Sequence, residues 1–161
     1  MYKEYSPCSI LAPFIYHFWE YKGETRSGLK FNIPPHGCSD FVFIVGNAAD
    51  CIRNSLIMKP YHSYFFGPMN TFTELVAHTN FIHIIGVRFR PCGLFQFIEI
   101  PLNELANQGI DSQEFPVLFS QSFIYQLCES NQNPIDIIEH ELVRQVYKNN
   151  MDTEKQISYA V

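Results

Sequence analysis

From Phe81 to Ile98 the chain changes its period. Phe81, His83, Ile85, Val87 and Phe89 alternate with Ile82, Ile84, Gly86, Arg88 and Arg90, which is the two-residue repeat of a strand. Pro91 follows; its missing N–H has no partner to lose in the first turn of a helix. A short helix is expected there, with Leu94, Phe95 and Ile98 on its buried side. Sheet gives way to helix at this point, so the chain reads as β-rich over 1–90 and helical over 91–150.

Upstream, Phe14 to Lys22 reads as an aromatic strand ending at Gly23. Ile15, His17 and Trp19 share one face, and Phe14, Tyr16, Phe18 and Glu20 the other. Both faces are largely apolar, as in a strand covered on two sides. Glu24 to Lys30 is polar and loop-like, and Pro34-Pro35-His36-Gly37 forbids regular pairing. Phe41 to Val45 is then a continuous apolar run with Asp40 at its mouth. Cys51–Met58 and Tyr61–Phe66 read as further strands, interrupted by Pro60 and Gly67-Pro68. Thr71–His78 and Phe81–Phe89 suggest a hairpin around Thr79-Asn80, because Asn tolerates the left-handed turn conformation. The fold class expected is α+β: a small antiparallel β-barrel or sandwich, with a cupin-like barrel among its versions, followed by C-terminal helices.

In the helical part, 102–108 reads as a short turn and Val117 to Glu129 as a modest helix. Asn133 is a good N-cap and Pro134 a good first residue for a stronger helix. Its apolar stripe is Ile135, Ile138, Leu142 and Val146. That stripe suits packing on the sheet or on the same helix of a second subunit, a homodimer. Residues 1–150 are expected to form one regulatory unit, with 151–161 as a linker beyond it.

Composition narrows the function. The chain has 161 residues, enough for one domain with its own core, and the 47% hydrophobic content excludes a disordered segment. Fifteen Phe and nine Tyr exceed what a small core absorbs easily, which points to an aromatic-lined pocket or an apolar partner surface. A net charge of -5 argues against phosphate-backbone binding by this stretch. No apolar run is long enough to span a bilayer, and the N-terminus lacks a signal-peptide pattern, so the expected setting is cytoplasmic with no membrane partner. Cys8, Cys38, Cys51, Cys92 and Cys128 are odd in number, without a CxxC pair, and read as reduced and mostly buried.

Candidate chemistry centres on Arg88 and Arg90. Alternate strand residues lie about 7 Å apart on one face, so both guanidinium groups could meet one anion. The competing reading is an internal ion pair with Asp40, Glu20 or Glu74, because a partly buried charge must be paired; Asp40 is the expected partner of Arg88. The six histidines include no HxH pair, and no nucleophile elbow or phosphate-cradling glycine loop occurs. No cofactor, metal site or catalytic set is therefore expected. A metal-binding cupin-like enzyme and a protein interaction module remain as alternatives. The site expected is a pocket for a small, partly apolar effector, formed by Trp19, His36, Asp40, Arg88 and Arg90.

Several stretches occur in a recognisable order: Tyr5-Ser6-Pro7, HFWEY at 17–21, IPPHGCSDFVFIVG at 33–46, FFGPMN at 65–70, IGVRFRPCGLFQFI at 85–98 and PLNELAN at 101–107. The set resembles the N-terminal domain of a group of AraC-family transcription regulators. Members typically show a Pro-Asp-Gly-Cys-x-Asp turn, a Gly-Pro turn and a Val-Arg-Phe-x-Pro-Gly segment. Here Pro35 to Asp40, Gly67-Pro68 and Val87 to Pro91 match, with His36 in place of the acid and Cys92 where glycine is usual. The resemblance implies a bacterial sensing or regulatory domain, with DNA contacts supplied by a helix-turn-helix domain beyond Val161.

Overall fold

The structure, a computed structural model, describes residues 1–26, 28–46, 49–51, 56–98, 104–114 and 118–159. Among these residues nine strands fall into two antiparallel sheets. The larger contains β1 (Tyr2–Tyr5), β2 (Ile15–Glu24), β4 (Ser39–Ile44), β6 (Ser63–Phe66), β8 (Phe81–Phe89) and β9 (Gly109–Asp111), in the order β1-β2-β8-β4-β6-β9. The smaller contains β3 (Leu29–Ile33), β5 (Ala49–Cys51) and β7 (Thr73–Ala77), in the order β3-β7-β5. Two helices follow, α1 (Gln121–Glu129) and α2 (Pro134–Tyr159).

The large sheet lies between two covers. On one face Ile15, Phe18, Phe41, Phe43, Phe65, Ile85, Val87 and Phe89 form a core with Ile124 and Leu127 of α1 and with Ile135, Ile138, Leu142 and Val146 of α2. On the other face Val42, Ile44, Tyr64, Phe66, Ile82 and Ile84 cluster with Phe31, Leu75 and Ala77 of the small sheet. Two-sided cover explains why every residue of β4 is buried. The α2 stripe thus docks on the sheet, each aliphatic side chain contributing about 1.5–3 kcal/mol by leaving water. Asn133 caps α2, its Oδ1 accepting from the Ile135 N–H at 3.1 Å, and Ser120 caps α1 in the same way.

The arrangement is a helix-backed sandwich, not a closed barrel: among the described residues no ladder joins the two sheets. The expected Thr79-Asn80 hairpin is also absent. β7 pairs with β3 and β5, whereas β8 pairs with β2 and β4. The β2–β8 ribbon instead continues into the β3–β7 ribbon around a corner held by the Thr25 N–H on Asn80 O at 2.9 Å and the Thr25 hydroxyl on Thr79 O. Asn80 is not among the residues with positive φ, so it lacks the left-handed backbone a tight reversal needs.

Other local differences have similar causes. Between Ile15 and His17 the register with β8 shifts; this bulge turns Ile15 toward the helices while His17 and Trp19 face the small sheet. Beyond Pro91 the expected short helix forms as a 3-10 helix over Gly93–Gln96, which buries Leu94 but leaves Phe95 47% exposed. Cys92 is exposed and sits at φ 65°, the left-handed region that explains why glycine is usual there. Within the span expected to be helical, Gly109–Asp111 adds a strand beside β6, and residues 104–107 form turns. Residues 101–103 and 117 of the expected helical segments lie outside the described residues. Helix α2 runs across the expected boundary at residue 150 and on to Tyr159.

A candidate ligand cavity between the sheets

Three adjacent strands build the site. Across β2, β8 and β4 the register aligns His17 with Arg88 and Arg88 with Asp40, then Trp19 with Gly86 and Gly86 with Val42, then Tyr21 with Ile84 and Ile84 with Ile44. Strand alternation points these rows at the small sheet. Gly86 is required for close approach, since a Cβ there would lie 2.0 Å from Trp19 Cε2; the indole rests on bare backbone. Tyr2 stacks near Trp19, centroids 6.4 Å apart, and Tyr21 meets Phe31 of β3 edge-on at 5.1 Å.

These rings wall a cavity of about 350 Å³, completed by Asn32, Ile33, Pro34, Leu75, Ile82 and Ile84 and closed at one corner by His36 and Arg88. A recess of about 30 Å³ shares Trp19, Ile33, Leu75 and Ile84 with it and reaches Asp40 and Thr73. The volume lies within the range of small-molecule sites, about 300–1,000 Å³, and mostly apolar walls with few polar groups are their usual composition. Trp19 Nε1 and His17 Nε2 are buried with no hydrogen-bond partner among the described residues.

The polar corner is an ion pair with a histidine beside it. Arg88 donates from Nε to Asp40 Oδ1 at 2.9 Å and from Nη2 to Oδ2 at 2.8 Å, the bidentate geometry that makes such pairs strong. Burial acts to lower the Arg88 pKa, but the bonds and charge of Asp40 outweigh it and the net shift is upward. His36 Nδ1 accepts from the Cys38 N–H at 3.2 Å, and its Nε2 lies 3.4 Å from Asp40 Oδ2. The same Nε2 lies 3.2 Å from Arg88 Nη2, which can only donate, so His36 touches both members of the ion pair. Burial lowers the His36 pKa and, with Arg88, outweighs the opposing pull of Asp40. Burial likewise raises Tyr2 to about 12, helped by its 2.9 Å bond to Glu4.

Of the five residues singled out from sequence, Trp19, His36 and Arg88 line the cavity, and Asp40 lines the recess while holding Arg88. Arg90 does not join them. β8 ends at Phe89; the Arg90 N–H bonds to Phe14 O, its Nε donates to Ala12 O at 2.8 Å, and its guanidinium lies 4.8 Å from the Tyr16 ring centroid. The two-arginine anion clamp is therefore not formed. Glu20 and Glu74, the other candidate partners, bond to His83 and Lys30 at 2.8 and 2.9 Å. Among the described residues no three His, Cys, Asp or Glu side chains are grouped to hold a metal, and no helix is long and apolar enough to cross a membrane.

Sequence reasoning missed Tyr2, Tyr21, Phe31 and Gly86. Gly86 carried a signal, because glycine inside a strand often marks close approach, and Tyr21 follows Trp19 at period two. Phe31 carried none, since nothing local says that β3 crosses to the opposite sheet.

Fold and cavity together define a helix-backed β-sandwich domain hollow enough between its sheets for a small organic molecule. The chain belongs to the family described as a domain of unknown function, DUF6597, whose match covers residues 3–111. That span takes in both sheets and the cavity lining except Tyr2, and it stops before the two helices. No curated protein matches the chain.

Proposed function

We propose that this chain is the effector-sensing part of an AraC-type bacterial transcription regulator, working in the cytoplasm, with DNA contacts made by residues outside it. The cavity carries the reading: about 350 Å³ of largely apolar space, walled by aromatic rings, with one polar corner. Support also comes from where the regulator-like stretches meet. The Pro35–Asp40 turn supplies His36 and Asp40, and the Val87–Pro91 segment supplies Arg88 to the same corner. The role proposed is one of binding, with Arg88 and Asp40 satisfying each other at the polar corner. A net charge of -5 agrees with DNA contacts lying elsewhere.

Trp19 is the single tryptophan and a cavity wall, so its emission reports occupancy. Titration with a metabolite library should find saturable quenching or a spectral shift that Ile84→Phe, which fills the cavity, abolishes. A library that leaves both emission and thermal stability unchanged overturns the sensing role. Sequence-specific, salt-dependent DNA binding by residues 1–161 overturns the division of labour.

A further inference from the structure

We infer that the cavity takes an uncharged, flat ligand of about two fused rings, whose carbonyl oxygen meets Arg88, and not an anion. The inference rests on the sensing role and names the ligand class for the same cavity. Size comes first: a cavity of about 150 Å³ accepts one benzene, so about 350 Å³ suits two rings. Shape follows from the walls, where Trp19, Tyr2, Tyr21 and Phe31 offer ring faces and edges for stacking.

Charge decides the class. An arginine beside an apolar cavity ordinarily suggests a carboxylate ligand, but the Arg88 charge is already neutralised at 2.8 and 2.9 Å by Asp40, which is 4% exposed. Among the described residues, the other ionisable groups at this corner are neutral or negative. His36 and His17 are held toward the neutral form, chiefly by burial; Tyr2 is kept protonated; Glu4 lies 3.8 Å from His17 and accepts from Tyr2. An entering anion would lose its hydration shell against no net positive charge, a large cost. Donors remain nonetheless. Guanidinium carries five N–H groups, and the Arg88 Nη1 pair makes no hydrogen bond among the described residues. An uncharged carbonyl or amide oxygen accepts from it without displacing Asp40.

Three probes of one shape test this by calorimetry on residues 1–161 at about pH 7.5, above the ordinary histidine range: 2-naphthamide, 2-naphthoate and 2-naphthylmethylammonium. The amide should bind at least about tenfold more tightly than either ion. Leu75→Phe and Ile84→Phe, approaching from opposite sheets, should each abolish that binding, with circular dichroism confirming the fold of at least one. Arg88→Met combined with Asp40→Leu, which removes donor and countercharge together, should weaken the amide about tenfold without improving the naphthoate. Equal or tighter binding of the naphthoate overturns the inference while leaving the cavity role standing, as does tightest binding of the ammonium ion, which would make the rings a cation cage. Binding by none of the three counts against the cavity role itself.

Discussion

Gly86→Ala isolates the feature on which the cavity wall depends. The added Cβ would stand 2.0 Å from Trp19 Cε2 and 2.3 Å from both Cζ2 and Nε1, against an ordinary carbon contact of about 3.5–4.0 Å. The indole must retreat by about 1.5 Å. Its backbone is held in ladders to β1 and β8, so the ring itself moves, away from the sheet and into the cavity. Overpacking of this kind costs about 1–3 kcal/mol. Against that stands a gain of about 0.4–1 kcal/mol from a less flexible unfolded chain, available because the φ of Gly86 is not positive. The net expectation is a loss of about 1–2 kcal/mol. With a urea dependence of about 2 kcal/mol per molar, the midpoint should fall by about 0.5–1 M. Equilibrium unfolding followed by circular dichroism measures this, and Trp19 emission reports the moved ring in the native state. An unchanged or higher midpoint with unchanged emission would refute the claim that the indole needs bare backbone beneath it.

Three further outcomes follow from the same geometry. Arg88→Met should cost about 3 kcal/mol by leaving the Asp40 carboxylate buried and unpaired, and adding Asp40→Leu should recover most of it; if the double variant is no more stable than the single, the pair is not coupled as described. Cys92→Gly should raise stability by about 0.5–1 kcal/mol, because Cys92 holds φ 65° where a side chain is strained, and a melting temperature that does not rise would show the strain to be absent. Acid should destabilise the fold, because burial leads the downward pKa shifts of His17, His36 and His83 from 6.5. Below that value the unfolded chain binds more protons than the folded one, so stability present above pH 6.5 is lost as pH falls through the lowered folded values. Glu20 adds loss at lower pH: burial would raise its pKa, but bonds from Tyr5 and His83 leave it below 4.5. Urea midpoints that stay level between neutral pH and the acid side of this window would contradict the histidine assignment.

The α2 helix was legible because its signals are local: an N-cap, a first-turn proline and a stripe at helical spacing lie within one stretch of chain, and any apolar surface would bury that stripe. The central strands were legible for a related reason. The continuous apolar run at 41–45 and the largely apolar stretch 81–89, interrupted by His83 and Arg88, read as interior strands, and once both strands are interior, Arg88 and Asp40 must find each other or remain as costly unpaired charges. Where these rules met a choice between partners, they were silent. Thr79-Asn80 reads equally well as a reversal within one sheet or a corner between two, and only the competing pairings of β7 and β8 chose the corner. Arg90 keeps the alternation of β8 in sequence, yet the strand stops one residue earlier, where the Phe14 carbonyl takes its N–H. The cavity is the plainest case of this difference: period two assigns Trp19 and Arg88 each to one face of its own strand, but only the pairing of β2 with β8 puts them on one sheet face, and Phe31 and Leu75 arrive from the opposite sheet. Periodicity fixes which side of a strand a residue takes, because it is a property of neighbouring dihedral angles. The empty space between two sheets depends on how distant segments dock, and no local dihedral carries that information.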